Sequence, residues 1–289
     1  MICRLLIIFF LPFIVFSQGN NFKERPSFEY IQLENSPVID GDVLNDKIWD
    51  VVPQLSEMIQ SKPSNGEKSS EKTQIKVAFS SSVMYVGVMC YDSDPNSLVV
   101  SDSRRDASLD DDDSFLFIID TYNDQQNGFL FGTNSAGMQY DAQIDNEGEG
   151  NRSSSRQQSG VIGGTNLNWD ATWVVETKIT DEGWSAEFAI PLKSIRFGSG
   201  LNKTWGINFQ RNISKTNEVS YWASMPADYN FNIKRVSLAG KLNGVSLKSP
   251  GNLKFLPYAL VKASHNKAFK NNKFNQDYGA DLKYSITSG

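Results

Sequence analysis

Residues 110–144 decide the fold, and they read DDDDSFLFIIDTYNDQQNGFLFGTNSAGMQYDAQI. Three stretches, 114–119, 129–133 and 138–144, predict β-strands, because the first two are apolar runs and the third alternates apolar with polar residues. The two segments between them carry the Asn, Asp and Gly residues that tight turns need. The stretch therefore predicts three antiparallel strands that follow one another in a sheet.

The same stretch holds the densest group of carboxylates in the chain. Four aspartates precede the first predicted strand, and others close that strand or lie on the third. A Ca²⁺ ion takes about six to eight oxygen ligands, so aspartates that converge at strand ends are candidates to bind it. A solvated acidic loop is the alternative, because runs of charge are usually solvated. The candidate ligands for a structural Ca²⁺ are Asp111, Asp113, Asp120 and Asp141.

Short strands at regular spacing continue on both sides of this stretch. Helical periodicity is almost absent, apart from a turn near Asn45 that would carry Trp49 inward. The pattern predicts an all-β fold, an antiparallel β-sandwich over residues 36–247. Residues 147–164 are rich in Gly, Ser, Arg and Gln and are expected to form a long loop. The other predicted strands are 74–79, 84–91, 174–179, 184–190, 205–211, 218–222 and 236–242.

The N-terminus has the pattern of a secretory signal peptide over residues 1–18. Arg4 supplies the positive charge, 5–16 form the apolar segment, and small residues follow it. Removal of this segment would leave Cys90 as the only cysteine, so no disulfide within the chain is expected. An exported protein without disulfides fits the bacterial cell envelope, with an outer-membrane or periplasmic location, better than a small animal extracellular domain.

The pattern changes near residue 252. Residues 253–263 and 278–286 predict two long strands, separated by a polar turn at 265–275. Paired strands of about ten residues with alternating apolar positions and flanking aromatics are typical of outer-membrane β-barrels. Two strands cannot close a barrel, so residues 252–289 are interpreted as the start of a truncated barrel domain. A terminal hairpin packed on the sandwich is the alternative.

Composition and motifs exclude several classes of function. A net charge of -5 and a pI near 5.1 argue against a nucleic-acid partner, which would need clustered Lys and Arg. The single histidine, His265, lies in the predicted polar turn and offers no catalytic triad. Glu176 and Glu187 lie on neighbouring predicted strands and could form the carboxylate pair of a glycosidase. Their alternating strand positions are explained more simply by salt bridges or solvent exposure.

Several motifs, taken in order, resemble the family 9 carbohydrate-binding module from about residue 38 to 242. The chain is most similar to the Bacteroidota envelope subgroup in which this module precedes an outer-membrane β-barrel of unknown function. The motifs are VIDGDVLNDKIW (38–49), DDSFLFIID (112–120), GFLF (128–131), NSAG (134–137) followed by Asp141, WDATW (169–173) and GWSAEFAIPL (183–192).

The resemblance implies a β-sandwich that binds sugar ends between tryptophan faces and carries structural Ca²⁺. An aromatic ring packs on the apolar C–H face of a sugar, while Asn, Arg and carboxylate groups bind its hydroxyls. Trp169 and Trp173 are expected to be an exposed pair beside the long loop, whereas Trp49, Trp184 and Trp205 are expected in the core. The predicted sugar-binding residues are Trp169, Trp173, Asn134 and Arg105.

Three functions remain open at this point. The first is a non-catalytic module at the cell envelope that binds a polysaccharide or oligosaccharide of plants or algae, linked to polysaccharide degradation. The second is the substrate-binding part of a xylanase-type glycoside hydrolase, the enzymes to which such modules are attached. The third is a structural cap or docking domain of an outer-membrane barrel that has lost its sugar site.

Overall fold

The computed structural model describes residues 25–149, 161–227, 232–248, 253–266 and 271–284. The predicted signal peptide and most of the 147–164 loop lie outside these residues. The described chain contains seventeen strands and short 3-10 turns but no α-helix. The strands are β1 Ser27–Glu29, β2 Gln54–Leu55, β3 Ile59–Lys62, β4 Thr73–Phe79, β5 Val83–Tyr91, β6 Ser114–Asp120, β7 Gly128–Asn134, β8 Tyr140–Ile144, β9 Val161–Ile162, β10 Thr165–Asn166, β11 Val174–Thr180, β12 Gly183–Pro191, β13 Gly200–Ile213, β14 Glu218–Tyr221, β15 Gly240–Leu247, β16 Leu253–Asn266 and β17 Asn271–Tyr284.

Two packed sheets form the sandwich. The larger has ten strands, and its main path runs β1-β15-β13-β6-β7-β8-β10-β9, with β14 paired to β13 and β3 paired to β14. The smaller has five strands in the order β11-β12-β5-β4-β2. The predicted β-sandwich is therefore confirmed, and β6, β7 and β8 are consecutive antiparallel neighbours as the sequence indicates.

Strand β6 explains why the central stretch is apolar on both faces. Phe115, Phe117 and Ile119 belong to the core between the sheets, whereas Leu116 and Ile118 belong to a second apolar cluster. This second cluster lies on the outer face of the large sheet and includes Leu109, Met225, Ile233 and Val236 from loops and turns. A strand covered on both sides reads as a continuous apolar run because neither face meets water.

A buried carboxylate fastens the N-terminal part of the chain to the small sheet. Glu187 is 0% exposed and accepts hydrogen bonds from the Trp49 indole Nε1 at 2.6 Å and from the backbone N–H groups of Asp40 and Gly41, each at 2.9 Å. Gly41 has φ +84°, and a Cβ there would lie 2.6 Å from the backbone of Thr177. Only glycine fits this turn against the sheet.

One local prediction is confirmed and one is wrong in detail. The predicted turn near Asn45 that buries Trp49 is a 3-10 turn, Lys47–Val51, and its N-cap is Asp46, whose carboxylate accepts the N–H of Ile48. Residues 236–242 are not one strand, since Val236–Leu238 form a 3-10 turn before β15 begins at Gly240. Val236 is drawn instead into the apolar cluster on the outer face of the large sheet.

Among the strands that the structure describes, the two C-terminal ones pair only with each other. Strands β16 and β17 form a separate two-stranded antiparallel sheet, which confirms the predicted pair of long strands. The predicted polar turn at 265–275 is largely wrong, because His265 pairs with Asn272 and Lys262 with Asn275 inside the ladder. Residues 267–270 lie outside the described part of the chain.

Candidate functional site

The four aspartates proposed as Ca²⁺ ligands do not converge. Asp113 accepts the N–H groups of Val99 and Ser214, while Asp120 accepts three N–H groups from the turn that follows β6. Burial raises the pKa of both carboxyls. Asp141 belongs to a third network, and Asp111 is exposed. Within the described residues, no group of three or more His, Cys, Asp or Glu side chains is placed to hold a metal ion.

The expectation that Trp173 is exposed is wrong. Its side chain is 4% exposed, lies parallel to Phe188 with ring centroids 5.8 Å apart, and donates its Nε1 hydrogen to Asp141 at 3.0 Å. Trp169 is half-buried and packs on Phe129, with the two ring centroids 5.0 Å apart. None of the six tryptophans is exposed, and Trp49, Trp184 and Trp205 lie in the core as predicted. Trp173 therefore has no open face for a sugar, and Trp169 is accessible only in part.

Asn134 and Arg105 are bound within the protein. Asn134 is 0% exposed; its Nδ2 donates to Asp112 at 2.8 Å, and its Oδ1 accepts from the backbone of the following turn. Arg105 forms ion pairs with Asp141 at 2.7 Å and Asp170 at 2.6 Å and a longer one with Asp106 at 3.6 Å. Both side chains connect loops of the protein, and their polar groups are engaged in these contacts instead of facing a ligand.

Glu176 and Glu187 do not form a glycosidase pair. They are opposite each other on β11 and β12, but Glu176 is exposed whereas Glu187 is fully buried and fastens the Trp49 segment. Burial raises the pKa of Glu187, which is offset in part by its three hydrogen bonds. A buried and fully bonded carboxylate has no access to a substrate.

A cavity of 530 Å³ lies on the outer face of the large sheet. It sits over one row of residues that are direct register partners across five strands: Tyr221, Gln210, Leu116, Gly132 and Tyr140. Apolar side chains line part of it, and polar groups from strands and loops line the rest. The apolar lining includes Leu116, Leu130, Leu167 and Val219, and the polar lining includes Lys62, Asp106, Asp110, Tyr140, Gln210 and Lys234.

Two buried polar atoms in this row have no hydrogen-bond partner. Gln210 is 6% exposed, and its Oε1 is unpaired although its Nε2 donates to Asn212 at 2.8 Å. Tyr221 is 0% exposed, and its hydroxyl is also unpaired. Buried polar groups are nearly always hydrogen-bonded in folded proteins, so unpaired ones beside a cavity mark a place where a ligand or water completes the bonding.

The phenol groups near the cavity keep their protons at physiological pH. Burial, together with the nearby carboxylates of Asp110 and Asp106, raises the pKa of Tyr140 to about 12. Burial also raises the pKa of Tyr221. Both phenols are therefore neutral and can donate one hydrogen bond and accept another.

Sequence reasoning missed this cavity, although one signal for it is present. Along β13, Asn208, Gln210 and Asn212 alternate with the apolar residues Ile207 and Phe209. This alternation places the three amides on the face opposite the core. The remaining lining residues come from segments between 62 and 234 and are brought together only by the fold.

The comparisons with known proteins agree with this architecture. Residues 39–230, more than half of the chain, match the model for the "Carbohydrate family 9 binding domain-like" family, and the chain belongs to that family. No match was found among curated proteins.

Solved structures share the fold at low identity. One is a family 9 carbohydrate-binding module from Caldicellulosiruptor kristjanssonii in complex with glucose, 17% identical, with a TM-score of 0.52, covering 78% of this chain and 100% of its own. The same kind of module from that organism was solved with cellotriose, at 18% identity and a TM-score of 0.51, covering 78% and 96%. A putative carbohydrate-binding protein from Bacteroides uniformis is 14% identical, with a TM-score of 0.57, covering 76% and 99%.

The described residues include no helix long and apolar enough to cross a membrane.

Proposed function

We propose that this chain is a non-catalytic carbohydrate-binding module whose ligand occupies the cavity on the outer face of the large sheet. The observation that carries the proposal is the buried, unpaired Oε1 of Gln210, a residue that lines the cavity, together with the unpaired hydroxyl of its register partner Tyr221. Membership of the family and the sugar-bound relatives with the same fold support the same class of ligand.

The chemistry of the cavity suits sugar hydroxyls. Each hydroxyl both donates and accepts hydrogen bonds, so it can donate to Gln210 Oε1 while another accepts from a neutral tyrosine. The carboxylates of Asp106 and Asp110 add strong acceptors at the wall. Leu116, Leu130 and Val219 provide apolar contact for C–H faces, a role expected of tryptophan from the sequence. The volume falls within the roughly 300–1,000 Å³ typical of small-ligand sites.

Replacing Gln210 by leucine is expected to weaken sugar binding by about tenfold, because one buried hydrogen bond to the ligand is lost. The measurement is calorimetric titration of the full chain with glucose, cellotriose and xylo-oligosaccharides, with a thermal melt of each variant to verify folding. Gln54→Leu is the matched control, since Gln54 is exposed on the small sheet. If wild type and Gln210→Leu bind sugar with equal affinity, or if the folded protein gives no heat with any sugar, the cavity is not the sugar-binding site.

The hydrolase alternative gains nothing from the described residues. Its proposed carboxylates, Glu176 and Glu187, lie on the small sheet, away from the cavity on the large one. The link to polysaccharide degradation is therefore proposed only through ligand binding, as a module that holds a glycan for enzymes acting elsewhere.

We also propose, for the two-stranded sheet, a location at the outer membrane of a Bacteroidota cell envelope, reached through the signal peptide. The observation that favours it is the exposure of large apolar side chains: Phe255 is 63% exposed, Val261 62% and Tyr278 73%. One face carries Phe255, Pro257, Ala259 and Val261 with Tyr278, Ala280 and the amide Gln276, and the other sets Leu256, Tyr258 and Leu260 against Asp277, Gly279 and Asp281. A mainly apolar face opposite a mixed one is the pattern of a strand pair between lipid and a polar interior.

This location predicts that membrane binding depends on one face of the hairpin. The double variant Phe255→Lys with Val261→Lys should abolish association of the full chain with phospholipid vesicles, because lysine is costly in the bilayer core. Leu256→Lys with Leu260→Lys, on the opposite face, is the matched control and should retain most of it. Co-sedimentation measures both. If the two double variants behave alike, or if the wild type does not bind vesicles, the hairpin packs elsewhere and the barrel proposal is wrong.

Structural Ca²⁺ remains a proposal without a common ligand set in the described residues. Asp113, Asp120 and Asp141 each accept hydrogen bonds from neighbouring groups instead of facing one another. A cation would have to be bound by other oxygens or after these networks rearrange.

A further inference from the structure

The cavity contains a half-buried cation that has no ion-pair partner. Lys234 lines it, and within the described residues no carboxylate lies within ion-pair distance of its Nζ and no hydrogen bond to it is formed. Two other enclosed cations donate hydrogen bonds to backbone carbonyls: Lys76 donates to Trp49 at 2.7 Å, and Arg211 donates to Tyr91 at 2.6 Å. Lys234 is therefore free to bind an anionic group that enters the cavity.

The backbone around Lys234 is fixed before any ligand binds. Ile233 and Val236 are buried in the apolar cluster of the outer face. Arg235 pairs with Glu147 at 3.1 Å, and the N–H of Ser237 donates to the same carboxylate at 2.8 Å. The segment therefore loses little conformational freedom on binding, which favours affinity.

The Lys234 side chain is also supported along its length. A Cβ added to Gly148 would lie 3.2 Å from Cδ and 3.4 Å from Cβ of Lys234, so the aliphatic part packs on the Gly148 backbone. The pKa of Lys234 is lowered by burial, and the carboxylate of Asp110 offsets only part of that effect. A packed stem with an unpaired ammonium group is the arrangement of a binding lysine, because the charge stays near the cavity instead of moving into bulk water.

We propose that the sugar bound in this cavity carries a carboxylate, as a uronic acid does, and that Lys234 binds that carboxylate. The inference rests on the proposed sugar-binding function and specifies its ligand class. Lys62 lines the same cavity and offers a second cation for a neighbouring acidic unit of an oligosaccharide. Asp106 and Asp110 line the same cavity and would accept hydrogen bonds from the hydroxyl groups of the ligand.

The test compares a uronate with a neutral sugar on the full chain. Trigalacturonate and cellotriose are titrated into wild type, Lys234→Gln and Lys241→Gln, the last being an exposed lysine on β15 that serves as control. We expect wild type to bind trigalacturonate at least about tenfold more tightly than cellotriose, and Lys234→Gln to remove that difference, because a charge-assisted hydrogen bond is lost. Raised ionic strength should weaken trigalacturonate binding and leave cellotriose binding unchanged.

The outcomes separate this inference from the function on which it rests. Binding of cellotriose as tight as that of trigalacturonate, or a trigalacturonate affinity that Lys234→Gln leaves unchanged, would overturn the uronate inference and keep a neutral-sugar module. Absence of binding by both sugars to a folded protein would overturn the sugar-binding function and the uronate inference together.

Discussion

Replacing Trp173 by alanine is expected to lower the free energy of unfolding by about 4 kcal/mol, as large aromatic truncations in a core do. The ring is buried between the sheets and lies parallel to Phe188. It contacts Phe131 edge-on, with the two ring centroids 5.4 Å apart. The change also leaves Asp141 without the indole N–H that it accepts. For a domain of this size, a loss of 4 kcal/mol corresponds to roughly 12 °C in the melting temperature.

Chemical denaturation of the full chain measures the effect of Trp173→Ala, and Trp169→Ala is its control. Trp169 is only half-buried, so its removal should cost about half as much. A tryptophan that stacks a sugar would behave in the opposite way, losing affinity with little loss of stability. If Trp173→Ala keeps its melting temperature and loses sugar binding, the ring is a platform and the cavity is not the site.

Replacing Glu187 by alanine is expected to cost about 3 kcal/mol of stability, because three donors, two of them buried, lose their acceptor. These donors are the Trp49 indole and the N–H groups of Asp40 and Gly41. The control is Glu176→Ala, the register partner on the neighbouring strand, which is exposed and should change stability by less than about 0.5 kcal/mol. Equal losses in the two variants would show that the buried carboxylate does not fasten the N-terminal segment.

The contribution of Glu187 to the free energy of unfolding is expected to decrease as the pH rises. Burial raises the folded-state pKa of Glu187 above its unfolded value near 4.3. The stability that comes from protonating it is fully present below the unfolded pKa and is lost as the pH rises through the folded pKa. The difference in unfolding free energy between wild type and Glu187→Ala should therefore be largest in acid and shrink over that interval. A difference that grows with pH would contradict the raised pKa.

The β-sandwich can be predicted from the sequence because the patterns that indicate strands and turns are local. The strands predicted at 114–119, 129–133 and 138–144 correspond to Ser114–Asp120, Gly128–Asn134 and Tyr140–Ile144. Residue alternation and turn chemistry act within a few positions, so they are visible without the fold. The C-terminal strands extend further than predicted because backbone pairing continues through polar residues such as His265 and Asn272, whose composition alone indicates a turn.

The site residues could not be predicted in the same way. Trp173 is buried because Asp141, 32 positions earlier, accepts its indole hydrogen and because Phe188 stacks on it. Aspartates that are adjacent in sequence accept hydrogen bonds from different parts of the chain: Asp112 accepts from the Asn134 side chain, and Asp113 accepts from the backbone N–H of Val99. The cavity joins Asp110, Gln210 and Lys234, which no sequence pattern relates to one another.

The most direct test of the central claim is to locate the bound sugar on the protein. Backbone amide chemical shifts of the isotope-labelled full chain are recorded during titration with cellotriose and trigalacturonate. Binding in the cavity on the large sheet is expected to give saturating shifts at Asp110, Tyr140, Gln210, Val219 and Lys234, which line it. Shifts confined to the segment 169–173, or no shifts at millimolar sugar, would contradict it.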